Sequence, residues 1–172
     1  MTEPEPTPPP SASCPWYDLA PDGAGLAVED FLTFRLGRLG NAGQRTVTAR
    51  YLDAFDLKVT EWRMLAALVA FSPMPFGDLV RVSSSDKALV SRTLGQLVSR
   101  GLATSQPDPH HARKVICAST ATGRALYQRI LPTAQRRQAE LLAALAPDER
   151  VTLYRLLEKL DAVLEPDRPR RR

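Results

Sequence analysis

The chain has 172 residues, a formal net charge of +4 and a sequence pI near 9.4. Hydrophobic residues make up 44% and aromatics only 6%, a Leu, Ala and Val balance that favours a mainly helical fold. With two cysteines at unrelated spacing, no run of about 18 apolar residues and an acidic, Pro-rich start, composition argues against a disulfide framework, a membrane span and a secretory signal. The reading is a cytoplasmic protein whose basic charge suits an anionic partner.

Residues 1–25 carry Pro4, Pro6, Pro8, Pro9, Pro10, Pro15 and Pro21, which remove backbone donors and favour an extended conformation. This predicts a loosely docked arm, with Trp16 and Tyr17 at its end able to pack on the body or on a second subunit. From 26 to 55, Phe31, Phe34, Leu39, Val47, Tyr51, Leu52 and Phe55 fit a long amphipathic helix. Gly37, Gly40 and Gly43 weaken it, each by about 0.5–1 kcal/mol against alanine. They predict a kink, a close helix crossing, or a break into two helices at Gly40–Gly43.

Thr60 then reads as a helix cap, followed by Glu61 and a mostly buried helix through Trp62, Leu65, Leu68 and Val69 to about Phe71. Pro73 and Pro75 end it. A short helix, 76–82, leads through Ser83, Ser84 and Ser85 to DKALVSRTLGQLVSRG, residues 86–101. Asp86 can accept from an unpaired N–H of the first turn, and Gly101 can take the left-handed conformation that ends a helix. Val90, Leu94, Leu97 and Val98 recur on one face; Lys87, Ala88, Ser91, Arg92 and Gly95 recur on another. Small side chains let a helix sink into a groove, and Lys and Arg meet phosphates or guanine edges there. Two helices, a short turn and a basic second helix make a helix-turn-helix.

Two short segments, 102–106 and 114–118, flank Pro107-Asp108-Pro109-His110-His111-Ala112, which predicts a hairpin with an exposed tip. A hairpin after a helix-turn-helix is a wing, and Arg113, where it returns, is placed to enter a minor groove. Between Phe76 and Cys117 six cations oppose three acids, a net +3. Thr120 caps a helix containing Pro132, where a bend is expected. Pro147, Asp148 and Glu149 open a last helix with the apolar stripe Val151, Leu153, Leu156, Leu157, Leu160, Val163 and Leu164. That stripe is wide for a surface helix of a monomer. Residues 166–172 read as a basic tail.

At this point the residues match a known pattern. The stretch DKALVSRTLGQLVSRGLATSQPDPHHARKVICASTATGRAL resembles the recognition helix, wing and following helix of the MarR-type winged-helix transcriptional regulators of bacteria. VTEWRMLAALVAF and AELLAALAPDERVTLYRLLEKL resemble that family's second helix and C-terminal pair, so the likeness spans about 26–165. The resemblance implies a mainly α fold with a small β-hairpin wing. A winged helix-turn-helix lobe (60–118) would sit between long N- and C-terminal dimerisation helices (26–55 and 121–165), in a homodimer on double-stranded DNA. It implies that Ser85, Lys87, Ala88, Ser91 and Arg92 face the major groove, that Arg113 is the wing arginine and that Asp108 is the wing's structural acid. It further implies a repressor released from a pseudo-palindromic operator by a small aromatic acid or phenol, held in a cleft between dimer helices and lobe; Phe31, Phe34, Arg35, Arg38 and Trp62 are the candidates. Two departures stand out: His111 and Ala112 replace a wing acid and a basic residue, and Leu89 stands where threonine is common.

Other readings are weaker. Adjacent His110 and His111 point apart in a strand and have no third ligand in register, so no metal and no cofactor is called for. Cys14 suggests a thiol-based redox sensor, but no basic residue beside it lowers its pKa, and Cys117 fits a small core residue. A winged-helix protein-interaction module would lack the basic face found here. No paired carboxylates, activated nucleophile or phosphate loop can be assembled for an enzyme.

Overall fold

The computed structural model describes residues 14–83, 85–109 and 111–164. The first half of the Pro-rich arm, His110 and the basic tail therefore lie outside the described residues. The chain divides into two compact units, 1–46 and 47–172.

In the first unit a 3-10 turn, Val28–Asp30, precedes helix α1, Leu32–Gly43. The Trp16 indole N–H donates to the Asp30 carbonyl at 2.7 Å, and the Arg35 guanidinium lies 5.5 Å from the Trp16 ring centre while pairing with Asp30 at 3.3 Å. Trp16 is thus held against the start of α1 within the first unit, while Tyr17 is exposed. The long helix predicted over 26–55 is divided, but not at Gly40–Gly43. Gly40 and Gly43 stay helical in α1, and the irregularity is a π-helical turn at Gln44–Thr48, inside which the unit boundary falls. At each of Gly37, Gly40 and Gly43 a Cβ would meet nothing within 4 Å among the described residues, so no close helix crossing within the first unit is seen there.

The second unit opens with the short helix α2, Ala49–Leu52, and a 3-10 turn, Asp53–Phe55, closed by Asp56 in the left-handed region at φ 47°. Helix α3 is Val59–Phe71. Its cap is Lys58 rather than Thr60: the Glu61 carboxylate folds back to accept the Lys58 N–H at 2.8 Å, so an acid in the first turn fixes the start two residues earlier than expected. Strand β1, Met74–Pro75, helix α4, Phe76–Ser83, and helix α5, Lys87–Ser99, follow, then strands β2, Ala103–Asp108, and β3, His111–Ser119. The sheet order is β1-β3-β2, all antiparallel, so the hairpin gains a third strand that the two-residue β1 gave no pattern to predict.

The core lies where α3, α4, α5, β3 and helix α6, Ala121–Leu142, converge. Leu65, Leu68, Leu79, Leu97, Cys117 and Ile130 are fully buried there. Trp62 packs in the same core, edge-on to Tyr51 and stacked on Tyr127 at 5.2 Å. Gly123 is required: a Cβ there would collide with the Leu102 carbonyl, so α6 approaches the start of β2 backbone to backbone. The Thr120 hydroxyl donates to the Gly101 carbonyl at 2.6 Å and accepts the Gly123 N–H at 3.0 Å, capping α6 as expected. Pro132 is accommodated inside α6.

Helix α7, Pro147–Leu164, starts as its sequence indicates, with the Glu149 carboxylate accepting the Ala146 N–H at 2.7 Å. Arg150 Nε donates to the carbonyls of Leu142 and Leu145, satisfying oxygens left open at the end of α6. No residue of α7 is buried. Among the described residues no helix is long and apolar enough to cross a membrane, and no group of His, Cys, Asp or Glu is placed to hold a metal ion.

Candidate nucleic-acid interface

Helix α5 is delimited by the two residues that its sequence nominates. Asp86 Oδ1 accepts the Leu89 N–H at 2.8 Å, and Gly101 takes φ 68° just beyond the last turn. Val90, Leu94 and Leu97 are buried against α3, α4 and β2, joined by Thr93, a buried polar residue that the apolar pattern missed; Val98 is 38% exposed. The opposite face carries Lys87, Ala88, Ser91, Arg92 and Gly95, all exposed. Neither Lys87 nor Arg92 has an ion-pair partner among the described residues. Ser85 is half-buried in the turn, its hydroxyl donating to the Ser83 carbonyl at 3.0 Å.

In the wing, β2 and β3 run in regular register from Ala103 opposite Ser119 to Pro107 opposite Val115; Asp108 then pairs with His111. Residues 112–114 therefore leave the ladder as a bulge, which bends the strand. Arg113 occupies the middle of this bulge and Lys114, exposed beside it, is a cation that the sequence reading did not single out. Asp108 is half-buried and His111 exposed.

The ligand candidates divide between the units. Phe31 and Phe34 are 42% and 46% exposed in the first, Arg35 is held by Asp30 and Trp16, and Arg38 is exposed. Trp62 belongs to the core of the second, with Tyr51 and Tyr127 against its ring. Cys14 is exposed, whereas Cys117 is fully buried and burial raises its thiol pKa.

Sequence reasoning missed one constellation in the lobe. Arg100, the residue after the last turn of α5, places Nη1 3.5 Å from Glu61 Oε1 and Nη2 3.9 Å from Asp56 Oδ2. These groups line a cleft of about 630 Å³ together with Asp53, Lys58 and Gln96. Glu61 was legible only as a first-turn acid, because its partner is 39 residues away.

A helix-turn-helix with a basic, uncrowded second helix and a three-stranded wing defines a winged-helix protein of the kind that binds DNA. The comparisons agree. A model of the MarR family matches residues 55–114. The transcriptional repressor NicR of Pseudomonas putida is 30% identical over 124 residues, covering 71% of this chain and 78% of NicR. A mutant of Escherichia coli MarR in complex with operator DNA superposes with a TM-score of 0.70 at 25% identity, covering 78% of this chain and 99% of that one. BpsR of Bordetella bronchiseptica, solved to explain how 6-hydroxynicotinic acid regulates its DNA binding, gives 0.70 at 25% identity, covering 79% and 96%. The chain belongs to the MarR family of transcriptional regulators.

Proposed function

We propose that the protein is a homodimeric repressor that binds a pseudo-palindromic operator and is released by a small aromatic or phenolic effector. The observation that carries the DNA reading is the exposed face of α5, where Lys87 and Arg92, with no ion-pair partner among the described residues, stand among the small residues Ala88, Ser91 and Gly95. On this reading Ser85, Lys87, Ala88, Ser91 and Arg92 address the major groove. Arg113, with Lys114 beside it, addresses the minor groove. Operator half-sites then lie about 10 bp apart, centre to centre.

The homodimer is supported by the apolar surface that α1 and α7 leave uncovered: Leu39, Val151, Tyr154, Val163 and Leu164 are each more than 60% exposed. For the effector, the relative whose DNA binding 6-hydroxynicotinic acid regulates supplies the precedent. The exposed rings of Phe31 and Phe34 beside Arg35 and Arg38 offer apolar contact with a cation for a carboxylate. The effector releases DNA by stabilising a state in which the two reading helices do not fit successive turns.

A gel shift of the protein against its own upstream DNA, with and without a panel of aromatic acids, tests the whole reading. Arg92→Ala is expected to weaken specific binding by about tenfold or more, as loss of a base contact costs roughly 1–3 kcal/mol. Arg113→Ala is expected to weaken binding and lower the salt slope by about one. Unchanged affinity and slope in both variants would remove the residue assignments, and no shift on any DNA would remove the function.

A further inference from the structure

Glu61, in the first turn of α3, is a buried carboxylate, 4% exposed. Burying a charge is costly unless it is paired and hydrogen-bonded, and Glu61 has both compensations. Oε2 accepts the Lys58 N–H at 2.8 Å, and Oε1 faces Arg100 Nη1 at 3.5 Å. Arg100 is the C-terminal cap of α5, so the pair clamps the first turn of α3 to the far end of the reading helix. The reading residues Lys87 to Arg92 occupy the opposite end.

Thirteen residues of α5 span roughly 20 Å at 1.5 Å per residue. A tilt of about 5° about the clamped end would therefore displace the reading end by about 1.7 Å, more than a hydrogen bond to a base edge tolerates. Arg100 is itself poorly disposed to bind phosphate. Its guanidinium lies between Glu61 and Asp56, in a cleft whose wall also carries Asp53, whereas Lys87 and Arg92 project freely.

We propose that Glu61 and Arg100 are positioning residues for DNA recognition: their ion pair sets the tilt of α5 and thereby its discrimination between operator and other DNA, without either residue touching DNA. The proposal rests on α5 being the reading helix. Asp56, exposed and 3.9 Å away, contributes little to it.

The test compares the full chain with Glu61→Gln, Arg100→Gln and Arg100→Lys. Each binds a duplex selected from a randomised pool by the wild-type protein, and a scrambled duplex of equal length, across a salt series, with thermal unfolding recorded in parallel. Glu61→Gln and Arg100→Gln are each expected to lose about tenfold on the selected duplex, comparable to one mismatched base pair. Affinity for the scrambled duplex and the salt slope stay at wild-type values, and Arg100→Lys recovers part of the loss. Glu61→Gln is the decisive arm, because removing a negative charge would by electrostatics alone tighten DNA binding. It is nearly isosteric and Arg100 lies at a helix end, so both variants are expected to fold. Three outcomes overturn the proposal: Glu61→Gln equal to or tighter than wild type on the selected duplex, Arg100→Gln weakening both duplexes alike with a slope lower by about one, or losses that scale with melting temperature. Failure of the wild-type protein to enrich any sequence would instead overturn the DNA reading of α5, and this proposal with it.

Discussion

The lobe around α3 and α5 and the last helix, α7, are both rich in leucine, yet they use it in opposite ways. In the lobe Leu65, Leu68, Leu79 and Leu97 are fully enclosed by their own chain. In α7 the stripe from Val151 to Leu164 has no buried member, and Leu156 and Leu157 are 47% and 40% exposed. The difference teaches that amphipathic spacing measures how much surface has to be covered, while only packing tells whether the chain covers it itself.

Replacing one leucine in each region separates them most widely. Leu65→Ala is expected to cost about 2–5 kcal/mol in denaturant unfolding, because it opens a cavity inside a closed core. Leu156→Glu is expected instead to shift sedimentation of the proposed dimer toward monomer and to weaken the dependence of the unfolding midpoint on protein concentration. Unchanged sedimentation together with a large loss of stability at Leu156 would erase the distinction. Next in size is Asp86→Ala, which removes the acceptor of the Leu89 N–H and is expected to cost about 1 kcal/mol in denaturant unfolding. Retained stability would mean that packing of Val90 and Leu94 alone holds the start of the helix.

The smallest effect lies in alkali. Burial raises the pKa of Tyr51 above 10.0 and that of Cys117 above 9.0, both in the closed core. The folded state therefore holds these protons more tightly than the unfolded chain does. That contribution is full below pH 9.0 and is lost as pH climbs past the two unfolded values. Tm is expected to be level with respect to these groups up to about pH 9 and to fall beyond it, with the earlier part of the fall reduced in Cys117→Ala. A Tm that rises above that pH would contradict the burial of both groups.

How much was legible in the sequence follows from the range of each interaction. Caps act within four residues, so the ends of α5 at Asp86 and Gly101 and the start of α6 at Thr120 could be read directly. The same short range produced one error of assignment. Thr60 has the preferred chemistry for a cap, but the return of Glu61 to the Lys58 N–H decided the position. Strand β1 is too short for an alternation, and its place beside β3 follows from a pairing of Met74 with Cys117 across a large separation. The exposed face of α5 was readable because Lys87, Ala88, Ser91 and Arg92 repeat at helical spacing. Arg100 and Glu61 share no periodicity, and only the fold brings them together.

The Thr120 hydroxyl, shared between the Gly101 carbonyl and the Gly123 N–H, has a consequence for how this lobe can vary. With the Thr120 N–H also donating to the Leu102 carbonyl, the two feet of the hairpin are stapled to each other independently of anything at its tip. The wing is thereby a cassette: each doubling of its free loop costs only about 0.6 kcal/mol of closure entropy. Its length and charge can be exchanged while α5 keeps its end.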